Sequence, residues 1–86
     1  MEYIQIRSVR ELFADAYREC LLTTDKPPRN WIVSPVVWAR IKEMPWAEKH
    51  ITTRKILPDE LFGIPVLLEP NEVPQYVTEN KTKEWV

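Results

Sequence analysis

With 86 residues the chain can form one small domain, and it is too short for a second hydrophobic core. Twelve Lys and Arg residues against thirteen Asp and Glu residues give a net charge of −1 at pH 7, which excludes a general electrostatic attraction to nucleic acid or to an anionic membrane. Cys20 is the only cysteine, so an intrachain disulfide and a structural zinc site built on several thiolates are also excluded.

The sequence predicts a cytoplasmic protein without a membrane partner. Residues 1–6 lack the basic region and the long apolar run of a secretory signal. No stretch approaches the ~18 apolar residues that a membrane span requires. The unpaired thiol of Cys20 is also typical of a reducing compartment.

The chain begins with a short predicted strand and a clearly patterned helix. Alternation within residues 2–6 favours the strand. Ser8 and Glu11 have the spacing of a capping box, in which each side chain pairs with a free backbone N–H at a helix start. A helix over 9–22 follows, because its apolar residues recur at helical spacing along one stripe. These are Val9, Leu12, Phe13, Ala16, Tyr17, Cys20 and Leu21.

A strand and a second capped helix are predicted beyond a proline-containing connector over 23–30. Aromatic and β-branched residues at 31–33 favour a buried strand. Ser34 is a suitable helix N-cap, and Pro35 fits the first helical position, where its missing N–H costs nothing. The helix is predicted over 35–43, with an apolar stripe made of Val37, Trp38, Ile41 and Met44.

The middle of the chain gives weaker signals. Pro45 ends or kinks the second helix, and residues 46–50 form either a final helical turn or a loop. The segment 51–57 is rich in Thr and Ile, which favours a strand, and Arg54 and Lys55 indicate that one side of it is solvated.

The last third is predicted to contain a helical turn and two strands. Residues 58–60 resemble the start of a single helical turn, closed by the only glycine, Gly63. A strand over 64–69 follows. Because Pro65 lacks a ladder donor, either this strand lies at a sheet edge or its first residues lie outside the ladder. Residues 75–78 favour a last strand.

These elements predict an α+β fold, in which two helices pack against a small, mostly antiparallel sheet of three to five strands. The compact domain is expected to cover residues 1–78, with residues 79–86 as a polar C-terminal tail. An unprotected strand edge at 64–68 could pair with a second copy, so a homodimer is one predicted assembly, although Pro65 opposes it.

Reactive side chains are few and scattered. His50 is the only histidine, so a Cys–His pair would have to combine it with Cys20, which belongs to the apolar stripe of the first helix. The adjacent carboxylates Asp59 and Glu60 are better explained as first-turn residues that complement a helix dipole. We therefore expect no enzyme activity, no cofactor and no metal.

The four tryptophans are a compositional excess. Trp31 and Trp38 flank the predicted cap, and at least one of them is expected in the core. Trp46 and Trp85 occupy less regular positions, and an exposed tryptophan is a common anchor in protein interfaces. A competing interpretation packs all four within the domain. We predict a partner-binding surface made of Trp46, Trp85, Arg54 and Lys55.

A small nucleic-acid-binding protein is the alternative function. Basic residues between 26 and 55 are interleaved with aromatic residues, as a single-strand-binding surface requires. Acidic residues dilute this charge and no predicted helix carries a continuous basic face, so a solvated rim explains the pattern better. The basic residues are Lys26, Arg29, Arg40, Lys42, Lys49, Arg54 and Lys55.

Two segments within residues 30–74 resemble the pattern of major capsid proteins of tailed bacteriophages. Segment 30–38, Asn-Trp-Ile-Val-Ser-Pro-Val-Val-Trp, is similar to a strand that ends in a Ser-Pro cap and leads into a short aromatic helix. Segment 61–66, Leu-Phe-Gly-Ile-Pro-Val, is similar to the return strand. The chain has no room for the spine helix, extended loop and N-terminal arm of a capsid subunit. The resemblance implies a phage or prophage origin and names no catalytic residue.

The combined hypothesis is a noncatalytic protein-interaction module with a host or virion protein as its partner. It would act either as an inhibitor of a host protein or as a virion or assembly component.

Overall fold

The computed structural model describes residues 8–53, 55–56, 58–70 and 73–86, and it confirms the predicted α+β class. The strand predicted at 2–6 lies outside these residues. The helices are α1 (Val9–Thr24), α2 (Pro35–Lys42) and a short 3₁₀ helix (Pro45–Lys49). The strands are β1 (Asn30–Val33), β2 (Ile51–Thr52), β3 (Glu60–Leu61), β4 (Ile64–Leu68), β5 (Gln75–Val77) and β6 (Lys83–Trp85).

The described strands form one mixed sheet in the order β2-β3-β4-β1-β5-β6, so its six strands exceed the three to five predicted. β1 and β4 run parallel, and the other neighbouring pairs are antiparallel. A parallel pair needs a crossover connection. Here the connection contains α2, the 3₁₀ helix, β2 and β3, so the outer strands of one side belong to the crossover itself.

Both helices begin at the predicted caps. The Ser8 hydroxyl accepts a hydrogen bond from the Glu11 backbone N–H at 3.2 Å, and the Ser34 hydroxyl accepts one from the Val37 N–H at 3.2 Å. α1 extends two residues past the predicted end, and it stops where Asp25 turns left-handed with φ 60°. The prediction placed the end of α2 one residue too late.

The proline after α2 has a different role from the predicted one. Pro45 opens the 3₁₀ helix, at a position where its missing N–H has no helical acceptor to lose. The open alternative for residues 46–50 is thereby resolved in favour of a helical turn. In the segment 51–57, only Ile51–Thr52 is a strand in the described residues, and positions 54 and 57 lie outside them.

The helical turn predicted at 58–60 is wrong, because β3 and β4 form a tight hairpin there. Leu61 pairs with Ile64 across a two-residue loop made of Phe62 (φ 55°) and Gly63 (φ 77°). Positive φ at both loop positions is the signature of a type I′ turn, which matches the twist of the flanking strands. Such a loop usually has Asn or Asp before the glycine. Because Phe62 stands at that position, the sequence pattern does not predict the turn.

Pro65 occupies an interior strand without interrupting its ladder. The Val66 N–H donates to the Asp59 carbonyl at 2.8 Å on the β3 side. Since N–H groups alternate along a strand, the Pro65 nitrogen faces β1, one residue before that ladder starts at the pair Trp31–Val66. The sheet-edge interpretation is wrong, because β4 lies between β3 and β1, whereas its first two residues do lie outside the ladder with β1. The homodimer stays a prediction.

Residues 79–86, predicted as a polar tail, contribute the edge strand β6. The turn is closed at Thr78, whose N–H donates to the Thr82 carbonyl at 2.9 Å and whose hydroxyl accepts from the Thr82 N–H at 3.1 Å. Lys81 adopts φ 65° within this turn. The chain therefore reverses, and the Val86 N–H reaches the Pro74 carbonyl at 3.1 Å.

Trp31 is the centre of the hydrophobic core. Its side chain is fully buried, and its indole N–H donates to the Leu61 carbonyl at 3.0 Å. Phe13 and Tyr76 meet its ring edge-on, with centroids 5.1 Å and 6.1 Å away. Burial, assisted by Cys20 and two glutamates, raises the pKa of the Tyr76 phenol above its ordinary 10.0, so this core position is neutral at physiological pH.

We expect Trp31→Phe to lower the free energy of unfolding by about 2–3 kcal/mol, because the smaller ring leaves a void and the Leu61 carbonyl loses its donor. Urea unfolding followed by far-UV circular dichroism measures the change. Trp85→Phe is the matched control: this tryptophan is 67% exposed, and its replacement should stay within about 0.5 kcal/mol of the parent. Equal losses of unfolding free energy in the two variants would contradict the assignment of Trp31 to the centre of the core.

Gly63 gives a second prediction, which isolates backbone conformation from packing. A Cβ at this position meets no atom within 4 Å, yet φ is +77°. Gly63→Ala should therefore cost about 1 kcal/mol through backbone strain alone. Gly63→Asn should cost less, since asparagine adopts left-handed geometry more readily. The same urea titration ranks the three proteins, and an alanine variant as stable as the asparagine variant would refute the turn assignment.

Candidate functional site

Trp46 lies in an aromatic cluster at the end of the crossover. Its ring stacks on Phe62, with centroids 6.3 Å apart and planes 17° from parallel. His50 contacts both rings, at 6.2 Å from Trp46 and 5.0 Å from Phe62. The Phe62 N–H also donates to the His50 carbonyl at 3.0 Å. The hairpin loop and the 3₁₀ helix thus hold Trp46 half-buried in one orientation.

Three basic side chains surround the tryptophan in a surface depression of about 360 Å³, which we call the tryptophan pocket. Arg10 approaches from the first turn of α1, whereas Lys49 and His50 lie on the 3₁₀ helix and its exit. Arg10 and Lys49 are exposed, and neither forms an ion pair with any residue of the described part of the chain. The lining residues are Arg10, Pro45, Trp46, Lys49 and His50.

An apolar groove adjoins the tryptophan pocket. It has a volume of about 310 Å³, and Arg40 is the only charged residue among the described residues that line it. Leu12 and Val73 expose 37% and 38% of their surface there, so the groove presents apolar side chains directly to solvent. Its lining residues are Val9, Leu12, Phe13, Val37, Arg40, Ile41, Met44, Val73, Pro74 and Val86.

Two connections join the groove to the tryptophan pocket. Met44 lines the groove, and its sulfur accepts a hydrogen bond from the Trp46 indole N–H at 3.3 Å. Val9 and Arg10 are consecutive in α1, with Val9 on the groove and Arg10 on the pocket. The two depressions are therefore neighbours on the protein surface.

Of the four predicted partner-binding residues, the structure describes three, and only Trp46 lines one of the two depressions. Trp46 is on the surface just described. Trp85 belongs to β6, at the opposite sheet edge from β2, and is 67% exposed. Lys55 is exposed and lines neither depression, while Arg54 lies outside the described residues.

Of the seven basic residues of the nucleic-acid hypothesis, Arg54 lies outside the described residues, and two of the other six line these depressions. Lys49 lines the tryptophan pocket and Arg40 the groove. Lys42 forms an ion pair with Asp59, with Nζ 3.6 Å from the carboxylate oxygen. A track for several successive phosphates requires more positive charges in a row than this surface supplies.

Cys20 and His50 lie in different surroundings. Cys20 is fully buried, and its thiol donates to the Lys26 carbonyl at 3.3 Å and contacts the Thr24 hydroxyl at 3.6 Å. A buried thiol used in this way acts as a small core residue. His50 lies against Trp46 and Phe62 instead. Within the described residues no three Cys, His, Asp or Glu side chains converge as a metal site would require.

The helix-dipole interpretation of Asp59 and Glu60 is wrong, because no helix begins there. The Asp59 carboxylate accepts a hydrogen bond from the indole N–H of the buried Trp38 at 2.9 Å and pairs with Lys42. It thereby fixes α2 to the start of the hairpin. Glu60 is a residue of β3, opposite Thr52 and Pro65.

Sequence reasoning missed Arg10 and Leu12 as surface residues of a site. Helical periodicity places Arg10 on the polar side of α1 and Leu12 in its apolar stripe. An apolar residue has the same helical periodicity whether other elements bury it fully or leave it partly exposed at the edge of the buried face. An arginine in the first turn of a helix, where the dipole disfavours a cation, was the available signal.

No family model, curated protein or solved structure matches this chain. The resemblance of residues 30–74 to phage capsid proteins therefore stays a prediction. The helices in the described ranges are too short and too polar to cross a membrane.

Asp59 gives a testable contrast between a hydrogen bond and an ion pair. Asp59→Ala leaves the Trp38 indole N–H buried without an acceptor, so we expect a loss of about 1–3 kcal/mol in unfolding free energy. Lys42→Ala removes only a partner whose side chain is 43% exposed, and it should cost less than about 0.5 kcal/mol. Urea unfolding of both variants measures the difference. A Lys42 variant as unstable as the Asp59 variant would show that the ion pair dominates.

Proposed function

We propose that this protein is a noncatalytic protein-interaction module that binds its partner through the apolar groove and the tryptophan pocket. The observation that carries the proposal is the contact between Met44, which lines the groove, and Trp46, which lines the tryptophan pocket. Solvent-exposed apolar surface beside an oriented, half-buried tryptophan is typical of interface hot spots.

Contact rather than turnover is supported by the chemistry of the same surface. His50 is the only histidine in the chain, and its contacts in the described structure are aromatic rings rather than a carboxylate that could orient it. General acid–base or nucleophilic catalysis needs such an orienting partner. The apolar groove and the half-buried Trp46 are instead groups that can contact a partner protein.

The partner belongs to a host cell or a virion in this proposal, and the module acts as an inhibitor or as an assembly component. The phage origin rests on the resemblance of residues 30–74. We place the module in the cytoplasm, since its one cysteine is unpaired and a reducing compartment keeps such a thiol free.

The proposal predicts that the immobilised parent protein retains a protein from a bacterial lysate, and that the immobilised Trp46→Ala variant retains much less of it. Loss of a hot-spot tryptophan costs about 2 kcal/mol or more, so retention should fall by roughly thirtyfold. The lysate is treated with nuclease beforehand, and retained proteins are identified by mass spectrometry. Retention should persist at high salt better than a phosphate-mediated complex would.

Leu22→Ala is the matched control, because Leu22 is 76% exposed on α1 and lines neither depression. It should retain the partner as the parent does. The proposal fails if Trp46→Ala and the parent retain the same proteins. It also fails if the two proteins differ in an untreated lysate but no longer differ after nuclease treatment.

A further inference from the structure

The surface that carries the proposed function is segregated by charge. Among the described residues that line the groove and the tryptophan pocket no side chain is acidic, whereas those of Arg10, Arg40 and Lys49 are basic. The whole chain has one more acidic than basic residue. The charged side chains of these two depressions are therefore positive, whereas Glu43 and Glu48 line the neighbouring depression that shares Met44 with the groove and Pro45 with the tryptophan pocket.

These cations are available to a partner. Arg10, Arg40 and Lys49 are exposed, and no ion pair engages them within the described residues. Lys42 differs, because Asp59 neutralises it. Arg10 and Lys49 come from separate elements, α1 and the 3₁₀ helix, and they converge on the ring of Trp46.

We propose that the occupant of this surface is an acidic amphipathic segment of a partner protein, with its apolar side chains in the groove and its carboxylates at Arg10 and Lys49. The inference rests on the proposed function and specifies the partner's chemistry. Complementary charge fixes orientation and excludes wrong partners, while the apolar groove and Trp46 supply most of the affinity.

A protein segment fits this surface better than a single-stranded nucleic acid. Ten residues line the groove, and nine of them are uncharged, so a polyanion would lay its backbone along an apolar surface. A segment with carboxylates at one end and bulky apolar residues at the other matches both ends. Arg40 at the groove lies where a further carboxylate of such a segment could reach.

A selection from a random library of 12-residue peptides displayed on phage tests the inference. With the parent protein as bait, recovered peptides should be enriched in Asp and Glu next to bulky apolar residues. With the double variant Arg10→Glu and Lys49→Glu, the acidic enrichment should disappear or reverse. A synthetic peptide of the enriched sequence should bind the double variant about tenfold or more weakly, with a reduced salt dependence.

Two matched variants separate the charge effect from the fold. Leu12→Asp places a carboxylate in the groove and should abolish peptide binding. Arg18→Glu reverses an exposed charge on α1 away from both depressions and should leave the selection unchanged. Circular dichroism and thermal unfolding establish that each variant is folded, which is expected because all four altered positions are exposed.

Several results would overturn the inference. They are the recovery of no peptides, recovery without acidic bias, and a bias that survives the double charge reversal. Binding of a labelled 20-nucleotide oligothymidine that is lost with Lys49→Glu would assign the surface to nucleic acid. A dimer in sedimentation that Leu12→Asp converts to a monomer would assign it to a second copy. A last outcome is a lysate partner that depends on Trp46 for retention and is still retained equally by the parent and by the double variant Arg10→Glu and Lys49→Glu. In that case the proposed function stands and this inference alone fails.

Discussion

The fold depends on the burial of Trp31 in the interior strand β1. One indole donates to the Leu61 carbonyl and meets Phe13 and Tyr76 edge-on, so it links α1, β1, β3 and β5. These elements are far apart in the chain, and their contacts close long loops whose entropy must be offset. A domain of this size buries little surface in total, and a single large ring therefore carries an unusual share of the core.

Concentrating the core around one ring leaves the helices incompletely covered. α1 buries only Phe13, Ala16 and Cys20, although its apolar stripe is wider. Leu12 and Leu21, at the margins of that stripe, expose more than a third of their surface. The groove lies at such a margin, where residues of α1 and α2 line it together with Val73, Pro74 and Val86. Apolar residues of α1 that the small core does not cover therefore remain available to a partner.

The elements with local signals were predictable from the sequence, and those that depend on distant contacts were not. Ser8 and the Ser34-Pro35 pair fix two helix starts through hydrogen bonds within four residues. The hairpin loop has Phe62 where asparagine would be expected, and its stabilising contact is a ring supplied by Trp46, sixteen positions earlier. No local pattern records a contact of that kind.

The candidate site divides in the same way. Trp46 could be singled out because an irregularly placed tryptophan is noticeable in a short sequence. Arg10 could not, since helical periodicity assigns it to solvent and only tertiary packing sets it beside the indole. The same irregular placement in the sequence groups Trp85 with Trp46. The strand order then separates them, because β6 and β2 lie at opposite edges of the sheet.

Three residues in or beside the proposed binding surface are locally unfavourable choices. Arg10 lies in the first turn of α1, where the helix dipole disfavours a cation by about 0.3–1 kcal/mol, although the cap at Ser8 and the basic residues in the last turn of α2 obey the usual preferences. Phe62 adopts left-handed geometry, which costs a bulky residue about 1–3 kcal/mol. Leu12 is left exposed where a polar residue would be neutral. Exposure alone does not set this surface apart, because Leu22, Val36 and Ile56 are more exposed than Leu12 and line neither depression. What distinguishes it is Arg10, a cation that lines the tryptophan pocket and forms no ion pair within the described residues.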